Sequence, residues 1–337
     1  MRIVLSLFAL ALSASAERIV RFVSDDGQIY TGDAILPEGT IDASKSTSAR
    51  VIQGDIFSNF TVTQEIKASD CCFGGELYAD LFVQNISSLL APMAPERTRT
   101  VRCVGFNYAA HAEEANITIP DFPILFFKPW TALAPPNGPV PVTEGYQTQG
   151  NFTSEMDYES ELVVVISKTA YNITVDQALD HVLGYAAGYD VSHRGWQIDR
   201  GGEPQPQYSM GKDADGWAPW GPAIVTKDII PNPQNLSIFA KVNGVTMQND
   251  TTANMLFGVA DLVSFFSMGI TLLPGDIIYT GTPSGVQLGK ADPIWLVNGD
   301  VVEVGLEGLG TCTSTITYSN ATESAFDPVL GFTGVKE

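Results

Sequence analysis

In DYESELVVVIS, residues 157–167, carboxylates stand at every second position, Asp157, Glu159 and Glu161, before the chain runs into Leu162, Val163, Val164, Val165 and Ile166. On a strand these three share one face, where like charges repel. Either that edge is solvated, or a cation meets the charges where the strand enters the core; a hard divalent ion bound through oxygen does so directly. Asp190, in GYDVSHRGWQ, offers a third oxygen ligand. Arg194 and Gln197, three residues apart, can meet one anionic substrate from the same side. In CVGFNYAAHAEE, His111 and Glu114 are i and i+3 neighbours on a short helix. That is the geometry in which a carboxylate orients an imidazole acting as general base, although a lone histidine is also an ordinary polar surface residue. His181 lies inside an apolar helical run and reads as structural; His193 fits either role.

The elements around these residues are mostly short apolar strands separated by turn residues: Val101 to Val104, Ile124 to Phe127, Leu162 to Ile166, Ala223 to Val225, Ile277 to Thr280 and Val301 to Val304. Helical periodicity is confined chiefly to Val175 to Leu183 and Met255 to Phe266. Near the start, Arg18 to Val23 alternates as a strand, and Asp25-Asp26-Gly27 marks a hairpin turn into Ile29-Tyr30. The pattern predicts a mostly β, α+β protein rather than a doubly wound sheet. Its expected parts are a leader over 1–16, a small β-rich unit over 17–95 and a catalytic domain over 96–330.

With 18 Lys+Arg against 38 Asp+Glu the formal charge is −20, and no stretch gathers the basic residues into a patch that tracks phosphates, which argues against a nucleic-acid partner. Residues 1–16 read as a secretory signal peptide: Arg2, an apolar run from Ile3 to Leu12, then Ala14-Ser15-Ala16. Asn59, Asn85, Asn116, Asn151, Asn172, Asn235, Asn249 and Asn320 all stand in N-x-[ST] sequons, so a secreted, N-glycosylated product is expected. The apolar stretch from Met255 to Leu273 is interrupted by Asp261, Ser264 and Ser267, and reads as a buried amphipathic helix instead of a membrane span. Cys71, Cys72, Cys103 and Cys312 permit three pairings in an oxidising compartment if all are used, and their spacing fits no zinc pattern.

Together the stretches CVGFNYAAHAEE, ILFFKPWTAL, DYESELVVVIS, DVSHRGWQ, GKDADGWAPWGP, TLLPGDIIYTGTPSGV and NGDVVEVGLEGLG resemble, in order, the fumarylacetoacetate hydrolase family over roughly residues 18–318. The resemblance implies a mixed β-sandwich roll for the catalytic domain, with inserted helices and a small N-terminal β-rich domain, assembled as a homodimer. It implies that Glu159, Glu161 and Asp190 hold one Mg2+ or Mn2+, Ca2+ being an alternative for an oxygen-only site. It further implies that His111 and Glu114 form a water-activating dyad and that Lys212, in GKDADGW, faces the substrate. Arg194 and Gln197 match positions that hold the substrate's carboxylate end, and Thr282, in TGTPSG, matches a pocket-lining loop. Asp157 drops out of the ligand set.

The implied chemistry begins with a 1,3-dicarbonyl or 2-oxo acid chelated by the cation, which stabilises the enolate. Hydrolysis of a C–C bond, decarboxylation and tautomerisation all follow from that enolate. The spacing around His111 resembles the small acylpyruvase and oxaloacetate decarboxylase branch, so C–C hydrolysis of an acylpyruvate-type substrate is the leading expectation, with a decarboxylase or a tautomerase of a 2-oxo acid as the alternative. A secreted β-rich binding protein with structural Ca2+ is the reading from another class; it has no use for His111, Glu114 and Lys212. Tyr189, Gly195, Ala214 and His193 depart from the residues common in the family, in the surroundings where substrate choice is made.

Overall fold

The computed structural model describes residues 17–63, 83–150, 152–200 and 206–335. The proposed signal segment, Asn151, Cys71 and Cys72 lie outside them. In chain order the first strands are β1 (Arg18–Val23), β2 (Ile29–Ile35), β3 (Ser48–Gly54), β4 (Phe60–Val62), β5 (Val83–Asn85) and β6 (Ser88–Leu90). There follow β7 (Val101–Gly105), helix α1 (Ala109–Glu114), β8 (Ile124–Lys128), β9 (Leu133–Ala134), β10 (Asn137–Thr143), β11 (Met156–Asp157) and β12 (Ser160–Ile166). Next come α2 (Val175–Ala178), β13 (Val182–Tyr189), β14 (Ser192–His193), α3 (Tyr208–Lys212), β15 (Ala218–Thr226), β16 (Ser237–Val242) and β17 (Val245–Thr251). The remainder that matters here is α4 (Val259–Phe266), β18 (Ile277–Tyr279), β19 (Val301–Leu306) and β20 (Gly310–Ser319).

One sheet runs β4-β3-β2-β1-β15-β13-β12-β18-β7-β8, and a second runs β10-β20-β19-β16-β17. The N-terminal strands continue into the main sheet through β1, whose Arg18 and Ile19 pair with Val225 and Ile224 of β15. The largest core cluster draws on both sheets, with Leu162, Val164 and Ile166 of β12, Tyr185 and Ala187 of β13 and Ile238, Val302, Val304 and Ile316 of the second sheet. A second cluster takes the opposite face of β12, Val163 and Val165, with Cys103, Trp220, Ile277 and Tyr279. Every residue of β12 is therefore buried. This is why its apolar run is continuous, as expected for a strand covered on both faces.

The helices are shorter than periodicity suggests. Of Val175 to Leu183, only α2 and a following 3-10 turn, Leu179–His181, are helical, and Val182 already begins β13. Of Met255 to Phe266, only α4 is helical; Gly258 starts it, with Asp261 Oδ2 accepting from the Gly258 amide at 2.9 Å. Among the described residues no helix is long and apolar enough to cross a membrane.

Candidate active site

The carboxylate stretch is not one strand. Asp157 ends β11, Ser160 begins β12, and Tyr158 and Glu159 form the joint between them. The break turns Asp157 away from its neighbours. Its Oδ1 accepts from the amides of Tyr158 and Gln287, both at 2.9 Å, and its Oδ2 from the Leu288 amide at 3.1 Å and from Arg194 Nε at 2.8 Å. Asp157 is thus a structural anchor, in keeping with its omission from the ligand set.

Glu159, Glu161 and Asp190 are brought together by the β12–β13 hairpin. Glu161 stands opposite Gly188 in the register, and the Asp190 amide, one residue past β13, donates to Glu159 O at 3.0 Å. One carboxylate oxygen from each of the three lies within 4.8 Å of the others, and all three residues are buried. The solvated-edge reading is therefore excluded.

Three buried cations face this group. Arg194 Nη2 and Lys212 Nζ each lie 2.6 Å from a different oxygen of Glu159, and Lys212 Nζ is 2.9 Å from Asp190 Oδ2. Lys128 Nζ lies 2.8 Å from Asp190 Oδ1, an ion pair without hydrogen-bond geometry, and also donates to the carbonyl of Lys212. Lys128, in the stretch ILFFKPWTAL, is thereby the support behind Asp190. Burial opposes the charge of Glu159, but Lys212 and Arg194 outweigh it and hold the carboxyl below its usual range. Glu161 goes the other way. Burial, then Asp190 and Glu159, push its carboxyl well above the usual range, and among the described residues its one hydrogen bond comes from the Gly281 amide at 2.7 Å. Burial disfavours the charge of Lys212 too, and Asp190 and Glu159 reverse that, so its ammonium is held above its ordinary value.

Four buried carboxyls, Asp157 included, face three buried cations, Arg194, Lys212 and Lys128, and the one without an ion-pair partner among the described residues is Glu161, which burial and its carboxylate neighbours hold towards the protonated form. An all-oxygen donor set of three buried carboxyls, one of them without a protein cation as partner, fits a hard divalent cation. Burying such a cluster without a counter-charge costs several kcal/mol per ion.

The dyad lies across a narrow cleft. His111 Nδ1 is 2.8 Å from Glu114 Oε1, and Glu114 Oε2 accepts from the Gly285 amide at 2.9 Å. Since Glu114 can only accept when ionised, Nδ1 carries the proton and Nε2 is left as the basic nitrogen. Phe106 stacks on the imidazole at 5.0 Å between centroids. The start of α1 is fixed by fully buried Asn107, whose amide donates to Thr280 O at 2.7 Å and Phe257 O at 3.0 Å. Gly281 follows at φ 94, a conformation that leaves its amide aimed at Glu161, and a Cβ there would come within 2.7 Å of Asn107. The cleft holds about 20 Å3, room for about one water molecule, and is lined by His111, Glu159, Arg194, Gln197, Lys212 and Thr282 together with Val104, Gly105, Phe106, Phe126, Tyr208 and Leu288. Larger clefts exist, one of about 380 Å3 beside Pro141, Tyr146, Asp215 and Phe332, but the dyad and the carboxylates do not reach it.

Arg194 and Gln197 meet each other: Arg194 Nη1 donates to Gln197 Oε1 at 2.8 Å. With Nε on Asp157 and Nη2 on Glu159, the guanidinium is a buried bridge. Gln197 sits in a π-helical turn, Gly195–Asp199, against which α3 packs so closely that a Cβ on Gly211 would lie 2.6 Å from Gln197 Cβ. His193 is a fold residue: its Nδ1 accepts from the Trp196 amide at 3.1 Å and its Nε2 donates to Tyr146 O at 3.1 Å. Burial and Arg200 push it down to about 4, so it is neutral at physiological pH. His181 is partly exposed in its 3-10 turn and does not line the cleft. Thr282 Oγ1 donates to Ser160 O at 2.9 Å and accepts from Gln248 Nε2 at 2.8 Å, and so fixes the cleft wall. Sequence reasoning missed Phe106, Phe126 and Tyr208; the last lies four residues before Lys212 on α3, a spacing that puts both on one helix face.

The profile described as "Fumarylacetoacetate (FAA) hydrolase C-terminal" matches residues 100–317. The chain is 40% identical over 230 residues to oxaloacetate tautomerase fahd2, mitochondrial, of Xenopus laevis, covering 68% of each chain. It is 40% identical over 229 residues to oxaloacetate tautomerase FAHD2A, mitochondrial, of Bos taurus, covering 68% of this chain and 69% of that one. The solved structure of 2-hydroxyhepta-2,4-diene-1,7-dioate isomerase from Mycobacterium marinum superposes with a TM-score of 0.68 at 32% identity, covering 90% of this chain and all of that one.

These relatives correct the expectation of a secreted glycoprotein, because the two tautomerases are by name mitochondrial. Sequons carry sugar only in the secretory route, so the eight N-x-[ST] sites do not by themselves place the chain there. The oxidising-compartment reading of the cysteines loses its basis in the same way: Cys103 and Cys312 are free, buried thiols. The dyad, the carboxylate group, the fold and the matched profile agree, and this chain belongs to the fumarylacetoacetate hydrolase family.

Proposed function

We propose that the chain is a tautomerase of 2-oxo acids of the oxaloacetate type, requiring Mg2+ or Mn2+ held by Glu159, Glu161 and Asp190. The observation that carries this reading is the His111–Glu114 pair, which presents one basic nitrogen to a cleft whose opposite wall is a carboxylate and ammonium cluster. Keto–enol exchange needs one proton moved between C3 and the C2 oxygen, and nothing more. When bound, the cation polarises the 2-oxo group and stabilises its enolate. His111 Nε2 takes the C3 proton, and Glu114 holds Nδ1–H and stabilises the imidazolium that results. Lys212, fixed between Glu159 and Asp190, sets positive charge beside the enolate oxygen. Phe106, Val104 and Leu288 limit water at the reacting carbon. The names of the relatives support tautomerisation over the C–C hydrolysis that the motifs suggest, which requires in addition an attacking water and a carbon leaving group.

Family membership also sets aside the reading as a Ca2+-holding binding module. The same proposal takes the protein as a homodimer acting on small-molecule acids; light scattering that returned the mass of one chain would contradict that part. The reaction itself is tested by nuclear magnetic resonance of oxaloacetate and of an acylpyruvate incubated with the protein and Mg2+. Faster keto–enol exchange of oxaloacetate with both carbon skeletons intact is expected. Accumulation of cleavage products at the rate of exchange, or no exchange above the protein-free rate, overturns the proposal.

A further inference from the structure

Most hydrogen-bond donors of the cleft are already committed. Arg194 is spread over Asp157, Glu159 and Gln197, and Lys212 over Glu159 and Asp190. His111 Nε2 is an acceptor in the tautomer that Glu114 selects, so a carboxylate is turned away from it. Two donors lining the cleft have no protein acceptor among the described residues: the side-chain amide nitrogen of Gln197 and the hydroxyl of Tyr208.

Tyr208 is held in place without using that hydroxyl. Its ring stacks on Phe126 at 4.9 Å between centroids and an interplanar angle of 21°, and Phe126 in turn lies 5.5 Å below Lys212 Nζ. The hydroxyl oxygen comes within 3.6 Å of where a Cβ on Gly105 would stand, over the floor of the cleft beside Phe106. Burial keeps the phenol protonated, and the charges it feels are those of the site: Lys212, Glu159 and Arg194. A rigid ring that presents a lone O–H to a narrow charged cleft is a recognition element.

We propose that Tyr208 contacts the substrate and sets its specificity, its hydroxyl and the Gln197 amide together receiving the second carboxylate of a four-carbon 2-oxo diacid. The inference rests on the tautomerase reading and deepens it. With the 2-oxo acid end at the carboxylate group, the second carboxylate needs donors that are not already neutralised, and these two supply them. A site that offers a buried donor to one substrate group rejects the analogue lacking it, because the donor is then left unpaired.

The test compares wild type with Tyr208→Phe, which keeps the ring on Phe126. Hydrogen–deuterium exchange at C3 is followed for oxaloacetate, a diacid, and for 2-oxobutanoate, a monoacid, each with Mg2+. The ratio of the two kcat/KM values is independent of the folded fraction. In wild type the ratio favours the diacid; in the variant it falls by about ten- to hundredfold, the loss expected for a hydrogen bond to a charged group. The fall appears mainly in KM for oxaloacetate, because the contact is made in ground and transition state alike, while exchange of the monoacid, no longer facing an unpaired donor, does not fall. An unchanged ratio overturns the inference and leaves the tautomerase reading intact. A wild-type protein that exchanges neither acid overturns both.

Discussion

Glu161 is the one carboxyl of the cluster without an ion-pair partner among the described residues, and the tautomerase reading gives it a purpose. Arg194, Lys212 and Lys128 hold Glu159 and Asp190 from several sides, whereas Glu161 has a single backbone amide from Gly281. A divalent cation held by Glu159, Glu161 and Asp190 would draw Glu161 into its ionised form and leave the cluster net positive, suited to an anionic acid. Binding that occurs only in the folded state raises stability by about 2.7 kcal/mol at a hundredfold excess over Kd. Thermal unfolding of wild type with and without Mg2+ or Mn2+ is expected to show an upward shift of several degrees. Glu161→Gln removes the carboxyl that would ionise on binding, and the cation-induced shift disappears; a variant that still gains the full shift would remove Glu161 from the ligand set. The same residue shows what spacing conveys. Glu159 and Glu161 were legible as neighbouring carboxylates from their i, i+2 positions, but Asp157 belonged to the same pattern, and in the structure the break at Tyr158 separates it. Arg194 read as a substrate contact and is a bridge between Asp157 and Glu159, because a partner distant in sequence leaves no local trace.

At the scale of elements, the strands were legible and the helices less so. β1 spans the residues that alternate in the sequence, Arg18 to Val23, and β12 covers the apolar run with two further residues at its start. Periodicity overran at Val175 to Leu183 because Val182 and Leu183 pair in the main sheet, where tertiary hydrogen bonding overrides local pattern. The short α3 carried no periodic signal, yet it delivers both Lys212 and Tyr208. Its C-terminal cap, Asp213, is unfavourably placed: a carboxylate at a helix C-terminus opposes the backbone dipole, and Asp213 Oδ1 is buried without a partner. Burial pushes its carboxyl up to about 6, more than the nearby Lys128 ammonium draws it down. A folded pKa above the ordinary 3.8 means that the folded state binds this proton more tightly than the unfolded chain does. Stability is therefore lost as pH rises from about 3.8 to about 6, and the loss is complete above that window. Asp213→Asn escapes the loss. Melting temperatures measured across pH are expected to favour the variant at pH 7 to 8, with the advantage shrinking through about 6 and gone near 4. An advantage that did not change with pH would assign the effect to something other than this carboxyl.

Across the whole molecule, the large sheet brings the site together from segments far apart in sequence. β12, β13 and β18 are adjacent in it, so Glu161, Asp190 and Gly281 converge, and β7 at its side carries the chain into α1 and the dyad. With a divalent cation in place the cluster would be a positive pocket on a protein of charge −20, a contrast that would focus small anions on the cleft rather than nucleic acid on the surface. The family was legible from the order of its motifs, whereas the reaction was not, since hydrolysis, decarboxylation and tautomerisation share the same enolate. What separates them is whether proton transfer at His111 suffices. The decisive measurement is the rate of oxaloacetate keto–enol interconversion, followed by enol absorbance, for wild type and His111→Ala with Mg2+. Wild type is expected to accelerate the exchange well beyond the protein-free rate, and His111→Ala to lose about a hundred- to ten-thousandfold of that kcat while melting as a folded protein. An unaccelerated reaction in wild type, or an undiminished rate in His111→Ala, would contradict the account.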